Sequence, residues 1–180
     1  MKPRCWLLTG LPGCGKTTVV CRVLELLAGL RVAGFYTEEI RSQGRRLGFR
    51  AAGLSGASVV MAHEAVRSPV RVSRYGVDLD ALDRLIGVEL DKPFAEVDLY
   101  VIDEIGKMEC HSPRFIAATR RVLDSPIPLL ATIAMRGEGF IAVVKARADA
   151  VQVLVTPANR DRLPAELAAA IRQAAPPRGV

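Results

Sequence analysis

The chain is poor in residue types that several kinds of chemistry require. Only 5% of its 180 residues are aromatic, and no aromatics interleave with basic residues as they do on surfaces that stack exposed bases. Its two histidines, His63 and His111, stand alone without a motif and read as surface or core side chains. The four cysteines, Cys5, Cys14, Cys21 and Cys110, lack metal-ligand spacing and read as reduced thiols of a cytoplasmic protein. No apolar run approaches a membrane span. The N-terminus leads directly into a strand and a glycine-rich loop, which argues against a signal peptide. Internal repeats, low-complexity stretches and dividing linkers are missing too. What remains is one domain over residues 1–180, expected to be a cytoplasmic monomer with a substantial core.

Half the residues are hydrophobic, and the net charge is +6 with a pI near 9.5. A basic balance raises the question of nucleic acid. The basic residues are spread along the chain beside acids, however, so nucleic acid is the less favoured partner. A positive field also steers a polyanionic small ligand.

Periodicity gives strands alternating with helices. A buried strand over 5–8 precedes a helix over 17–28. Residues 31–40 and 46–54 read as a hairpin around a turn at 41–45, with short strands at 59–62 and 70–73. A helix over 77–90, a buried strand over 97–102, a helix from Ser112 and Pro113 to about Leu123, a strand over 127–133, a helix over 139–148, a strand over 151–155 and a helix over 163–174 follow. The tail from Pro176 reads as loose. This order argues for a three-layer α/β fold with a mostly parallel central sheet and an added antiparallel hairpin.

The stretch with most chemistry is Gly10-Leu11-Pro12-Gly13-Cys14-Gly15-Lys16-Thr17-Thr18. From Gly10 it matches G-x-x-x-x-G-K-T between a strand and a helix, the setting a phosphate-binding P-loop needs. Its glycines let consecutive N–H groups turn inward toward an anion, and the helix start adds its free donors. Lys16 supplies a mobile charge for the terminal phosphates, and the Thr17 hydroxyl suits Mg2+. A P-loop also needs an acid at the end of a neighbouring strand. Asp103, after Tyr100-Val101-Ile102, is the expected second metal residue, and Glu104 the expected base for an attacking water. Adjacent acids favour hydrolysis over transfer to another acceptor, since a kinase must exclude water. A nucleotide or small-molecule kinase and a nucleic-acid-associated switch remain the alternatives.

Several longer segments narrow the reading: T-G-L-P-G-C-G-K-T-T from Thr9, G-F-Y-T-E-E-I-R from Gly34, G-R-R-L-G-F from Gly44, L-S-G from Leu54, V-I-D-E-I-G-K-M-E from Val101, A-T-I from Ala131 and T-P-A-N-R-D from Thr156. In these the chain resembles the small nucleoside-triphosphatase family of thermostable bacterial and archaeal enzymes, which also has a human cancer-related member. The resemblance implies a RecA-like P-loop fold and Mg2+-dependent hydrolysis of nucleoside 5′-triphosphates with broad base tolerance. It also implies nucleotide-binding stretches at Gly10 to Thr17 and at Tyr100, Val101, Ile102, Asp103, Glu104, Ile105, Gly106 and Lys107. Lys107 lies in the matching segment and is favoured, with Lys16 and Glu104, as a catalytic side chain. Arg41, Arg45, Arg46 and Arg136 are candidates for a cationic finger. Asn159, Arg160 and Asp161 are candidates for a base or ribose contact, although a helix cap is the simpler role for Asp161. The chain departs from the family pattern at Cys14, at Cys110 and after A-T-I, where the usual proline is missing.

Overall fold

A computed structural model describes residues 3–175, so the tail expected to be loose lies outside the described residues. The elements run β1 (Cys5–Thr9), α1 (Lys16–Leu26), β2 (Val32–Ser42), β3 (Arg45–Gly53), β4 (Ser58–His63), β5 (Arg71–Val72), β6 (Tyr75–Val77), α2 (Leu79–Glu89), β7 (Leu99–Ile105), α3 (Pro113–Leu123), β8 (Leu129–Ile133), α4 (Phe140–Lys145), β9 (Ala150–Leu154) and α5 (Leu163–Ala174). The strands form one nine-stranded sheet in the order β5-β6-β4-β3-β2-β7-β8-β1-β9. Strands β2, β7, β8, β1 and β9 are parallel to their neighbours, whereas β2, β3, β4, β6 and β5 pair antiparallel.

The parallel half is filled from both faces, which is why its strands read as unbroken apolar runs. Successive side chains point to opposite faces. Cys5, Leu7, Tyr100 and Ile102 join one core with Leu82 and Leu85 of α2, Phe115 and Val122 of α3 and Ile141 of α4. Trp6, Leu8, Leu99 and Val101 join the other with Val20 and Val23 of α1 and Leu167 and Ile171 of α5. Two helices start on side-chain caps: Asp78 accepts from the Ala81 amide at 2.8 Å, and Ser112 accepts from the Phe115 amide at 2.9 Å. These oxygens satisfy amides that have no partner within the helix.

Several local expectations are corrected. The expected hairpin is β2 and β3 and the expected short strands are β4 and β5; β6 was not expected, and the first turn is confined to Gln43 and Gly44 between β2 and β3. Val77 ends a strand instead of beginning a helix, because Tyr75, Gly76 and Val77 are all buried in β6. Asp161 does not cap α5, which starts without a side-chain cap; its carboxylate pairs with Arg22 at 3.1 Å. Strand β7 continues through Asp103 and Glu104 to Ile105, beyond the expected end at Ile102.

Gly34 shows how closely the two halves of the sheet meet. Its φ is +120°, and a Cβ built there would collide with the Val101 carbonyl on β7. Only glycine lets β2 lie against β7 at this point and still continue into the antiparallel half.

Candidate active site

Regular alternation would place Ile102 and residue 104 on one face. Instead Ile102 and Ile105 share one core, because the register with β8 shifts between Ile102 and Ile105. A bulge of this kind re-aims side chains at a strand end. Here it releases Asp103 and Glu104, joined by a cis peptide, toward the loop that follows β1.

A cleft of about 630 Å³ opens at this end of the sheet. Its floor brings Pro12, Gly13, Gly15, Lys16, Thr17 and Thr18 of the glycine-rich loop against Asp103, Glu104, Gly106 and Lys107. The other members of the expected stretches sit differently. Leu11 is exposed, Cys14 is buried behind the loop, and Tyr100, Val101, Ile102 and Ile105 have side chains wholly in the core. The Tyr100 hydroxyl donates to the Lys92 carbonyl at 3.1 Å, on the core side. These four carry the strand that presents the acids and have no side chain in the cleft.

The Lys16 ammonium lies across the loop, donating to the Gly10 and Leu11 carbonyls at 3.0 and 3.3 Å. Asp103, 2% exposed, is held by three threonines. Thr17 Oγ1 donates to Asp103 Oδ2 at 2.8 Å, Thr132 Oγ1 donates to Oδ1 at 2.5 Å, and Thr37 Oγ1 donates to the Asp103 carbonyl at 2.5 Å. Burial raises the Asp103 carboxyl above the usual carboxylate range, and the Thr132 and Thr17 bonds oppose that rise. Burial first, and then the Asp103 charge, raise Glu104 as well, with Lys16 opposing. Thr37 and Thr132 were not singled out from the sequence. Each was legible only as one letter inside G-F-Y-T-E-E and A-T-I.

Glu109 was missed too. It is 4% exposed and borders the cleft. A Cβ at Gly106 would lie 2.9 Å from Glu109 Oε2 and 3.4 Å from Glu104 Cδ, so the absence of a side chain there lets both carboxyl groups converge. Burial pushes the Glu109 carboxyl up to about 8, with Glu104 and Asp103 adding to the rise. The folded state therefore holds a proton that the unfolded chain releases at an ordinary glutamate value of about 4.3. The stabilisation is complete below that value and is lost as the pH rises through about 8, at up to about 1.4 kcal/mol per pH unit. Thermal melts between pH 5 and 8.5 should show the parent losing stability with rising pH. Glu109→Gln should show a distinctly flatter profile.

The antiparallel half forms the opposite wall, with Thr37, Glu38, Glu39, Arg46, Phe49, Met61 and Val72. Both Glu38 and Glu39 reach it. Of the arginines considered, Arg46 and Arg136 border the cleft. Arg41 is engaged with Glu39 at 2.5 Å, and Arg45 with Glu64. Arg46 bonds Glu39 at 2.7 Å and the Tyr75 hydroxyl at 3.1 Å, and it stacks 5.0 Å from the Phe49 ring centre.

Among the described residues no three His, Cys, Asp or Glu side chains are grouped to hold a metal. Magnesium does not require such a cage, since it keeps several waters and takes one or two protein oxygens plus phosphate. The adjacent Thr17 hydroxyl and buried Asp103 carboxylate are hard oxygen donors of that kind, and they fit the ion.

A family model described as NTPase matches residues 5–168. The chain belongs to this NTPase family. The nucleoside-triphosphatase THEP1 of Thermotoga maritima is 36% identical over 166 residues, covering 92% of this chain and 94% of its own length. That of Thermofilum pendens is 39% identical over 173 residues, covering 93% and 95%. Among solved structures, THEP1 from Aquifex aeolicus superposes with a TM-score of 0.83 at 32% identity, covering 91% of this chain and 96% of that one. A human cancer-related nucleoside triphosphatase gives 0.80 at 36% identity, covering 94% and 98%. The fold is therefore the P-loop NTPase fold of this family, with the extended antiparallel half described above. Among the described residues no helix is long and apolar enough to cross a membrane.

Proposed function

We propose that the chain hydrolyses nucleoside 5′-triphosphates to diphosphate and phosphate, with Mg2+ and with little preference for the base. The observation that carries this reading is the Thr17–Asp103 hydrogen bond. It ties the start of α1 to the strand end that presents Glu104. Loop amides and Lys16 bind the β- and γ-phosphates. Thr17 and Asp103 would hold the metal, which would supply charge neutralisation to the phosphates. Glu104 orients a water and takes its proton as the water oxygen bonds to the γ-phosphorus and the bond to the bridging oxygen breaks. Burial and Asp103 raise Glu104 toward the working pH, which suits a general base. Lys107 borders the same cleft, and its charge would meet that of the γ-phosphoryl oxygens.

A second reading has one observation in its favour. Phe49, Met61, Val72 and Met108 line the cleft beyond the acids, more apolar surface than a water needs, and a kinase would place an acceptor there. The test is phosphate release from triphosphate and Mg2+ in buffer with no acceptor. Steady multiple turnover supports hydrolysis, and turnover that appears only with an added hydroxyl compound overturns it.

A further inference from the structure

Glu104 and the phosphate loop leave open where the nucleoside goes. In-line displacement sets the attacking water and the leaving diphosphate on opposite sides of the γ-phosphorus. The sheet order decides which side is which. Glu104 is on β7, the loop follows β1 two strands away, and beyond β1 lies β9. On the hydrolase reading above, that line would carry the nucleoside toward β9. There a second hollow of about 220 Å³ opens, lined by Gly15, Thr18, Val19, Arg22, Arg160 and Asp161. Gly15 and Thr18 border both hollows, so the two meet across the start of α1.

The turn after β9 holds Arg160 firmly beside the loop. The Val155 amide donates to the Thr9 carbonyl at 2.7 Å, and the Arg160 amide donates to the Thr156 carbonyl at 3.0 Å. The Asn159 side chain accepts from the Thr156 amide and donates to the Leu154 carbonyl, both at 2.8 Å. The arginine side chain lies across Gly15, where a Cβ would come within 3.3 Å of Arg160 Cδ. Its guanidinium is exposed and makes no hydrogen bond or ion pair with the described residues. Arg22 and Asp161, by contrast, are paired with each other at 3.1 Å.

We propose that this hollow holds the nucleoside and that the Arg160 guanidinium stacks on the face of its base. The direction of the phosphate chain rests on the hydrolase reading above. A planar guanidinium is attracted to any π-face, and stacking tolerates all four bases because each has such a face. The polar residues around the hollow do not supply a buried hydrogen-bonding edge: Arg22 and Asp161 have side chains 50% and 77% exposed. The hollow is also smaller than the roughly 300–1,000 Å³ of an enclosing ligand pocket, as suits a cradle that touches one face of the base. Base tolerance then follows from what the hollow does not read.

Equilibrium calorimetry with ADP, GDP, CDP and UDP, and with inorganic tripolyphosphate, tests the assignment on the parent, Arg160→Ala and Arg160→Lys. Arg160→Ala should weaken all four diphosphates by roughly tenfold and leave tripolyphosphate unchanged. Arg160→Lys, which keeps the charge but loses the plane, should not restore affinity. The proposal is overturned if the diphosphates bind as to the parent or if tripolyphosphate weakens equally. Recovery with lysine, or an effect confined to one base, overturns it too. Because the readout is binding, loss of the hydrolase reading would leave this result standing.

Discussion

Glu104→Gln should bind Mg2+–nucleotide much as the parent does and lose turnover by about 10²- to 10⁴-fold, the usual contribution of a positioned base. The two side chains have nearly the same shape, and Glu104 borders the cleft without holding the loop. Thr17 and Asp103 keep their 2.8 Å contact, so the glycine-rich loop and the two oxygens proposed to hold the metal are untouched. The amide can still orient a water but cannot accept its proton. The loss should therefore fall on kcat, with KM nearly constant, the pattern of an interaction made only in the transition state. Substitution also removes a charge that Asp103 opposes, so the variant's melting temperature should equal or exceed the parent's. A Glu104→Gln protein that turns over like the parent would move the base elsewhere. Glu109 then becomes the next carboxyl to test, since it converges with Glu104 over Gly106.

The sequence carried the parallel half of the fold because buried strands must be apolar on both faces. Cys5 to Leu8 and Leu99 to Ile102 are such runs, and they become β1 and β7 between the two cores. Ser112 with Pro113 marked a helix start through chemistry that acts within three residues. Lys16, Thr17, Asp103 and Glu104 were legible because spacing and a strand end suffice to place them. The features missed depend on distant register. The bulge between Ile102 and Ile105 exists only relative to β8, so the strand appeared to end at its last apolar residue. Thr37 and Thr132 find Asp103 across 66 and 29 residues, and no local pattern announces a threonine as a carboxylate's partner. Asp161 illustrates the opposite error. Its position before α5 resembled a cap, yet Arg22, 139 residues away, captures the carboxylate.

Lys16→Ala should lower binding and turnover together, which separates its role from that of Glu104. The ammonium donates to the Gly10 and Leu11 carbonyls, bonds that phosphate oxygens can replace with a gain in charge complementarity. A charge-assisted hydrogen bond contributes about 1.5–3 kcal/mol, or roughly ten- to a hundredfold in diphosphate affinity. Charge developing on the transferring phosphoryl group should extend the loss in kcat/KM to about 10³-fold or more. The fold should survive, because Lys16 is partly exposed and its bonds reach only across its own loop. Binding by calorimetry, kcat/KM from phosphate release and a thermal melt resolve the three effects. Lys16→Arg is a sharper control, since the glycine-rich loop fits a compact point charge and a planar fork delivers its donors in another geometry. Recovery of diphosphate binding without recovery of turnover in Lys16→Arg would place the lysine's main contribution at the γ-phosphoryl group. Full recovery of both would reduce its role to charge alone.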